Sequence, residues 1–527
     1  MINELKATLN RENNYQLTEN GAVGYKSTGS ALTDLNFRVT SMRNGITPVD
    51  LLLFCDAMNE DLEYAIKWLF FARDVRGGMG ERDVFQRFYM QYAELYPNEA
   101  KATLKLVAEF GRWKDVIDII NIDQDNNLGG LELVSETFHS DIQNCMVGKS
   151  ISLLAKWMPS INASGKARQQ AKRFAKHFGL TYADYRKLLS KLRAYLDVTE
   201  VKTCANRWGE IDYNKVSSNA NKRYMNAFKK HDGARYADHC MKALDVTSND
   251  VKMHASVLFP HEIWEKYTQL PGLSYYECEN RSYGWGHSSE PAPADISLEA
   301  MWKNLADMGD CGNTMVVVDG SGSMTSHCGV QSVRPINIAR SLGVYFAERC
   351  QGEFNNILIE FSSSPKLIDL NGCNTLRDKV VELSKYTDCT NTDIEAVFML
   401  ILQSAINANM KQSDLPDRIL IVSDMEFDTA TNKTKCLYGM KALFNELADR
   451  FAKHGYKLPK LVFWNVNSRT KTIPMTENEM GVILVSGFSP NIMSMVMSDQ
   501  TDPWLALKEK LDSNRYDCIS DTLKTVR

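Results

Sequence analysis

Five short, mainly apolar runs in the second half of the chain, at 314–318, 357–361, 418–423, 461–466 and 482–485, constrain the fold more than any other feature. Helical patterns separate or follow them, at 337–349, 376–384, 394–406, near 441–451 and near 504–511. Strands that are apolar throughout and alternate with helices predict a parallel sheet covered on both faces, the doubly wound α/β architecture. In such a sheet ligands bind beyond the carboxyl ends of the strands, where loops lead into helices.

The first half follows a different period. From about residue 48 to about residue 266 the apolar residues recur at helical spacing, as in the stripe Leu62, Ala65, Ile66 and Leu69 and the stripe Leu188, Leu192 and Tyr195. Helices joined by short polar connectors, with no strand signal, predict an all-α helical-repeat stack of HEAT-like type, closed into a ring or left as an open arc. The stretch 271–293, rich in Tyr, Gly and Pro, has neither period and reads as a linker. The expected organisation is α + α/β in two domains: helical repeats over 1–270, a linker over 271–309, and the doubly wound domain over 310–527.

Several classes are disfavoured by the totals. A 44% hydrophobic, 24% charged composition is that of a globular chain. The first residues lack the charged-then-apolar pattern of a secretory signal, and no stretch has the roughly 18 uninterrupted apolar residues of a membrane span, so the expected location is the cytoplasm, with no membrane partner. The 12 cysteines include no C-x-x-C pair, which argues against a zinc ribbon or a thioredoxin-type site and for reduced, mostly buried thiols. The net charge of −4 hides an asymmetry: residues 156–235 hold 18 Lys and Arg against 6 Asp and Glu. Such a block in an acidic chain predicts a polyanionic partner.

The segment MVVVDGSGSM puts Asp319 at the carboxyl end of the first core strand, with Ser321 and Ser323 at alternate positions of the following loop. One carboxylate and two hydroxyls are hard oxygen donors suited to a small divalent cation such as Mg²⁺, and Gly320 and Gly322 let the backbone turn both hydroxyls toward one point. The same composition also serves an ordinary turn. Two further segments point to the same place. In CTNTDIEAVF, Thr392 precedes a helix and offers a hydroxyl; in ILIVSDMEFD, Asp424 follows an apolar strand and can accept hydrogen bonds from metal-bound water. A helix N-cap at Thr392 or Asp393 and a strand-end turn at Asp424 are the plainer alternatives.

In this order, D-x-S-x-S, a later Thr before a helix and a later S-D after a strand resemble the metal-ion-dependent adhesion site of von Willebrand A domains, over about residue 310 to the end. The resemblance implies a Mg²⁺ with one position open to a partner's carboxylate, and Asp319, Ser321, Ser323, Thr392 and Asp424 as the matching residues. Asn391 stands where many members of that family have glycine, which leaves Thr390 as the alternative threonine.

Within the basic block, GKARQQAKRFAKHF places Lys166, Gln170, Arg173 and His177 on one helical face. Aromatics are interleaved: Phe174, Phe178, Tyr182, Tyr185, Tyr195, Trp208, Tyr213, Tyr224 and Phe228. Cations that neutralise phosphates beside rings that stack on unpaired bases suit single-stranded RNA or RNA ends, and the candidate contacts are Lys166, Arg168, Lys172, Arg173, Lys176, His177, Arg186, Lys187 and Arg207. The competing reading puts the charges on a solvated face and most of the aromatics in the core. In RDVRGGMGERD, Arg73, Arg76 and Arg82 flank a Gly-Gly-x-Gly turn that either cradles an anion with its amides or is a helix-helix turn stapled by Arg–Asp pairs. No G-K-[S/T] follows, so it is not a nucleotide-hydrolysing P-loop.

The segments LTENGAVGYKSTGSAL, FARDVRGGMGERDVFQRF, CANRWGEIDYNKV and KMHASVLFPHEIW, placed before an adhesion-type domain, resemble a family of mostly uncharacterised microbial and viral proteins. That family is similar in layout to the Ro autoantigen, whose TROVE module is a closed ring of helical repeats. The resemblance implies a protein that binds small non-coding or misfolded RNA on a basic helical surface, without catalysis.

Catalytic sets are not legible. His231–Asp232 lacks companions at metal-ligand spacing, and Gly320-Ser321-Gly322-Ser323 misses the G-x-S-x-G spacing of a nucleophile elbow. The expected function is a non-catalytic RNA-binding scaffold whose metal site recruits an acidic protein partner. The alternative is a metal-dependent protein-interaction or assembly scaffold with no RNA ligand.

Overall fold

The computed structural model describes residues 13–248, 250–273, 290–325, 333–361, 364–386, 393–427, 439–475, 482–497, 500 and 502–526. A short antiparallel hairpin pairs β1 (Tyr15–Leu17) with β2 (Val23–Tyr25). The main sheet contains β3 (Thr314–Asp319), β4 (Ile357–Phe361), β5 (Lys366–Asp369), β6 (Arg418–Ser423), β7 (Lys460–Asn465) and β8 (Val482–Ser486). Its spatial order is β5-β4-β3-β6-β7-β8. Every neighbouring pair runs parallel except β4 and β5. The sheet is therefore mixed rather than wholly parallel. β5 is a four-residue edge strand, exposed at three positions and bounded by Lys366 and Asp369. An edge tolerates such residues, and they leave no apolar run to read.

Because successive side chains alternate between faces, each core strand serves two layers. Met315, Val317, Ile419, Ile421, Phe463 and Leu484 share one buried cluster with Phe398 and Leu402 of the helix Ile394–Asn407 and with Phe444 and Leu447 of the helix Gly439–Lys453. Val316, Val318 and Trp464 point the other way. There the helix Pro335–Ala347 approaches so closely that a Cβ on Gly343 would lie 2.4 Å from Val318 Cγ2, while Phe346 packs on Trp464 with centroids 5.1 Å apart. Each such large side chain contributes roughly 1.5–3 kcal/mol through burial.

The chain divides into two compact units that are interleaved in sequence. One comprises Met1–Tyr64, Cys240–Asn249 and Ala255–Asp512; the other comprises Ala65–His239, Asp250–His254 and Ser513–Arg527. This differs from the contiguous domains 1–270 and 310–527 expected from sequence, for two local reasons. Residues after the hairpin are bonded to the sheet: Asn465 Nδ2 donates to Phe37 O (2.8 Å), Thr40 and Ser486 share a hydroxyl hydrogen bond (2.8 Å), and Ser41 Oγ donates to Ser468 O (2.5 Å). Tyr25 and Ile473 exchange main-chain hydrogen bonds of 2.8 and 2.9 Å. Near the other end, Tyr516 stacks on Phe110 with centroids 5.6 Å apart, inside the helical unit. The expected linker is corrected too: Ile296–Lys303 is a helix with Leu298, Met301 and Trp302 buried.

The helical unit carries no strand among its described residues. Its main helices are Arg82–Leu95, Pro97–Thr103, Trp113–Ile122, Gly130–Met146, Gly165–His177, Tyr182–Tyr195 and Ser218–His231, and Asp517–Lys524 packs against Pro97–Thr103. The RDVRGGMG turn is the stapled connector rather than an anion cradle. Three of its amides are spent on carbonyls, with Gly78 N and Gly80 N donating to Asp74 O (3.2 and 3.1 Å) and Met79 N to Phe71 O (3.1 Å). Arg73 Nε donates to Asp115 Oδ2 (2.9 Å), Arg515 Nη2 to Asp74 Oδ1 (2.7 Å) and Arg76 Nη1 to Glu109 O (3.2 Å). Among the described residues no helix is long and apolar enough to cross a membrane.

A Cβ on Gly78 would lie 2.0 Å from Phe71 O, a main-chain atom that cannot swing aside. Gly78→Ala is expected to destabilise the helical unit by about 1–3 kcal/mol or more, read as a lowered denaturation midpoint. An unchanged midpoint would mean that the turn is not packed as described.

Candidate metal centre and cationic helices

Two acidic side chains meet at the carboxyl edge of the central strands. β3 ends in Asp319 and β6 ends just before Asp424; both side chains are buried. Asp319 Oδ1 accepts from Ser321 N (2.9 Å) and Oδ2 from Ser423 Oγ (2.5 Å). Ser423 Oγ in turn accepts from Met425 N (2.9 Å). Ser321 and Ser323 share a hydroxyl hydrogen bond of 3.1 Å, and the Ser323 hydroxyl favours the charged form of the Asp424 carboxylate. Met425 is buried with φ +64, a left-handed conformation that costs a side-chain-bearing residue roughly 1–2 kcal/mol. It turns the chain sharply after Asp424, so that Glu426 N donates back to Asp424 Oδ1 (3.2 Å).

Electrostatically the cluster is short of positive charge. Burial pushes the Asp319 carboxyl up to about 6, against the lowering effect of the Ser423 and Ser321 hydrogen bonds, and the Glu360 carboxylate pushes in the same direction as burial. Burial and then repulsion from Asp319 push Asp424 up to about 7. Glu360 itself is neutralised by Arg340, through Nε to Oε2 (2.9 Å) and Nη2 to Oε1 (2.7 Å). Asp424 Oδ2 accepts no hydrogen bond among the described residues; a guanidinium nitrogen of Arg469, Nη2, lies 3.6 Å away. Two carboxylates and two serine hydroxyls, one carboxylate oxygen unsatisfied, form an oxygen-only donor set of the kind that hard divalent cations take.

Asp319, Ser321, Ser323 and Asp424 lie together at this edge of the sheet. Thr390, Asn391 and Thr392 lie outside the described residues. Asp393 is a helix cap, its Oδ1 accepting from Ala396 N (3.0 Å). Ser423, Arg469 and Glu426 were not foreseen. Ser423 was legible in the S-D pair, but nothing local marks Arg469, which follows β7. Glu426 is a buried hub: Oε1 accepts from Arg469 N and Thr470 N (both 2.8 Å), and Oε2 from Glu19 N (2.7 Å).

On the helical unit, Lys166, Arg168, Lys176, His177, Arg186, Lys187 and Arg207 are exposed, whereas Lys172 and Arg173 are half-buried. Arg173 is committed to structure, donating to Ile120 O (3.0 Å) and Gln124 O (2.9 Å) at the end of the helix Trp113–Ile122. Lys172 Nζ sits 5.6 Å from the centre of the Tyr182 ring, and Arg207 pairs with Glu210 (3.1 Å). The aromatics divide as the core reading expects: Phe174, Phe178, Tyr185, Tyr213 and Phe228 are buried, while Tyr182 and Tyr195 remain 50% and 41% exposed. Trp208 stacks on His231, with centroids 4.5 Å apart. Lys166 and Arg173, with Asn121, Gln124, Gln169 and Gln170, line a cleft of about 460 Å³.

The chain thus combines an α/β unit, with two buried carboxylates at its strand ends, and a helical unit. The chain belongs to the family described as a domain of unknown function, DUF2828, which it matches over residues 18–140 and 163–312, more than half its length. Residues 313–517 match a second domain of unknown function, DUF7788. The chain is 29% identical over 522 residues to the uncharacterized protein L728 of Acanthamoeba polyphaga mimivirus, across 92% of this chain and 85% of that protein. It is also similar to a solved structure, the RO (RSR) protein of Deinococcus radiodurans, at 12% identity and a TM-score of 0.34, across 88% of this chain and 92% of that one. An uncharacterised family with a viral member is what the quoted segments led one to expect.

The unfolded chain releases the two aspartate protons near 3.8 and the folded chain near 6 and 7, so folding takes up protons in between. The stability this pair contributes is full below about pH 4 and is lost as pH rises through about 7. Without divalent cation, the melting temperature of the wild-type chain should fall over that interval relative to Asp319→Asn. Parallel curves would show that the fold does not raise the Asp319 carboxyl.

Proposed function

We propose that this chain is a non-catalytic, metal-dependent binding protein. In this reading the α/β unit is a von Willebrand A-type domain that holds Mg²⁺ through Asp319, Ser321 and Ser323, with Asp424 receiving metal-bound water and Thr390 or Thr392 completing the set. One coordination position is left to the carboxylate of an acidic protein partner. The observation that carries the reading is the buried Asp319–Asp424 pair, with the Arg469 guanidinium 3.6 Å from Asp424 Oδ2. A divalent ion between the two carboxylates would remove their repulsion and satisfy Asp424 Oδ2.

A cation that binds only the folded state stabilises it by about 2.7 kcal/mol at a concentration 100 times its Kd. Mg²⁺ is therefore expected to raise the melting temperature of the wild-type chain but not of Asp319→Ala. A wild-type melting temperature indifferent to Mg²⁺ would overturn the metal reading.

The helical unit, in the same proposal, grips small structured or misfolded RNA, a Ro-like role. Supporting it are the exposed Lys166, Arg168, Lys176, Arg186 and Lys187, for which no carboxylate of the described residues is a partner, and the ring of Tyr182, half exposed beside Lys172. Because Arg173 caps a helix, charge reversal belongs at Lys166, Lys176 and Lys187. Changing these three to Glu should weaken binding of a small structured RNA and reduce the slope of log affinity against log salt by about 2, if each meets one phosphate. Failure of the wild-type chain to shift any such RNA at low salt would leave the assembly scaffold without an RNA ligand as the surviving reading.

A further inference from the structure

The loop that presents Asp424 is held by a distant part of the same unit. At the hairpin tip between β1 and β2, Thr18 Oγ1 donates to Phe427 O (2.7 Å), Asn20 Nδ2 to Glu426 O (2.6 Å) and Glu19 N to Glu426 Oε2 (2.7 Å). Arg469, in the loop after β7, donates its main-chain N to Glu426 Oε1 (2.8 Å). Its guanidinium then stands between two carboxylates: Nη2 pairs with Glu19 Oε2 and lies 3.6 Å from Asp424 Oδ2, the atom that accepts no hydrogen bond among the described residues. Asp424 is 1% exposed, whereas the Arg469 and Glu19 side chains are 33% and 52% exposed. The two outer groups have room to move, and Asp424 does not.

We propose that Arg469 is the built-in counter-cation of the Asp319–Asp424 pair, competing with a divalent ion for Asp424, and that Glu19 on the hairpin tip sets how strongly it competes. The inference rests on the divalent-cation reading above. With Glu19 charged, the guanidinium is shared and Asp424 is only partly neutralised, which leaves the site open to a cation. Without that carboxylate, the guanidinium belongs to Asp424 alone and opposes the cation by like-charge repulsion. Binding at the cation site and pairing at the hairpin tip are then linked, and each must bias the other by the same factor. Arg469 and Glu19 are positioning residues in this scheme, since neither is a metal ligand.

The test is Mg²⁺ titration of the full chain, followed by calorimetry and by melting temperature. Both side chains can be changed without touching the main-chain bonds to Glu426, so the loop keeps its anchors in either variant. Arg469→Gln is expected to bind Mg²⁺ about 5-fold more tightly and Glu19→Gln about 5-fold more weakly, at the lower end of ordinary coupling between sites. In addition, Arg469→Gln should lower the melting temperature without cation and match wild type with saturating Mg²⁺, which a merely structural role would not produce. Should Arg469→Gln fail to fold, the weakened binding of Glu19→Gln carries the decision. Wild-type binding with both variants unchanged, or shifted in the same direction, overturns the role of Arg469 alone. A wild-type chain that binds no Mg²⁺ overturns the cation reading and this inference with it.

Discussion

Burying two carboxylates side by side at the edge of a sheet is the constraint around which the α/β unit is organised. Each buried charge loses its hydration, and the pair adds mutual repulsion, so the surroundings must supply donors or positive charge. The answer here is local and thorough for Asp319, which takes a main-chain amide and the Ser423 hydroxyl. It is incomplete for Asp424, whose second oxygen faces only a guanidinium at 3.6 Å. The left-handed Met425 and the parallel pairing of β3 with β6 both serve to hold that mismatch in place. A left-handed residue and an unsatisfied carboxylate oxygen thus coincide at one point of the sheet.

The core strands were legible because parallel strands buried on both faces need uninterrupted apolar side chains, and β3, β6, β7 and β8 have them. β5 escaped notice because an edge strand with exposed Lys366, Leu367 and Asp369 has no such need. Asp319, Ser321, Ser323 and Asp424 could be read from motifs that fall at strand ends, where topology fixes their position. Arg469 and Glu19 could not, since their relation to the site is made by main-chain bonds to Glu426, 43 and 407 residues away in the chain. Glu426 itself looked like any acidic loop residue. What identifies it is three-dimensional: its carboxylate accepts the amides of Glu19, Arg469 and Thr470.

In the helical unit the sequence signal was strong in sum and weak in detail. An excess of positive charge over 156–235 says that the surface is cationic, not which side chains are free. Arg173 illustrates the difference. It sits on the same predicted face as Lys166, yet its planar guanidinium is committed to two carbonyls at a helix end, a task that an ammonium would perform poorly. The same holds for Arg73, whose fork is spent on the buried Asp115. Arginine in a basic block can be structural while neighbouring lysines stay in water, and only geometry separates the two uses.

The interleaving of the two units bears on how such a chain acquires its structure. The hairpin of β1 and β2 precedes the strand end it braces after β6 by some four hundred residues of chain. Likewise the helix Pro97–Thr103 waits for Asp517–Lys524, some four hundred residues further along the chain. Contacts closed over such separations carry a large loop-entropy cost before they return anything, and they slow folding accordingly. Neither unit can finish as an autonomous block while the chain is still emerging, so early segments must persist with unpaired edges until their distant partners exist.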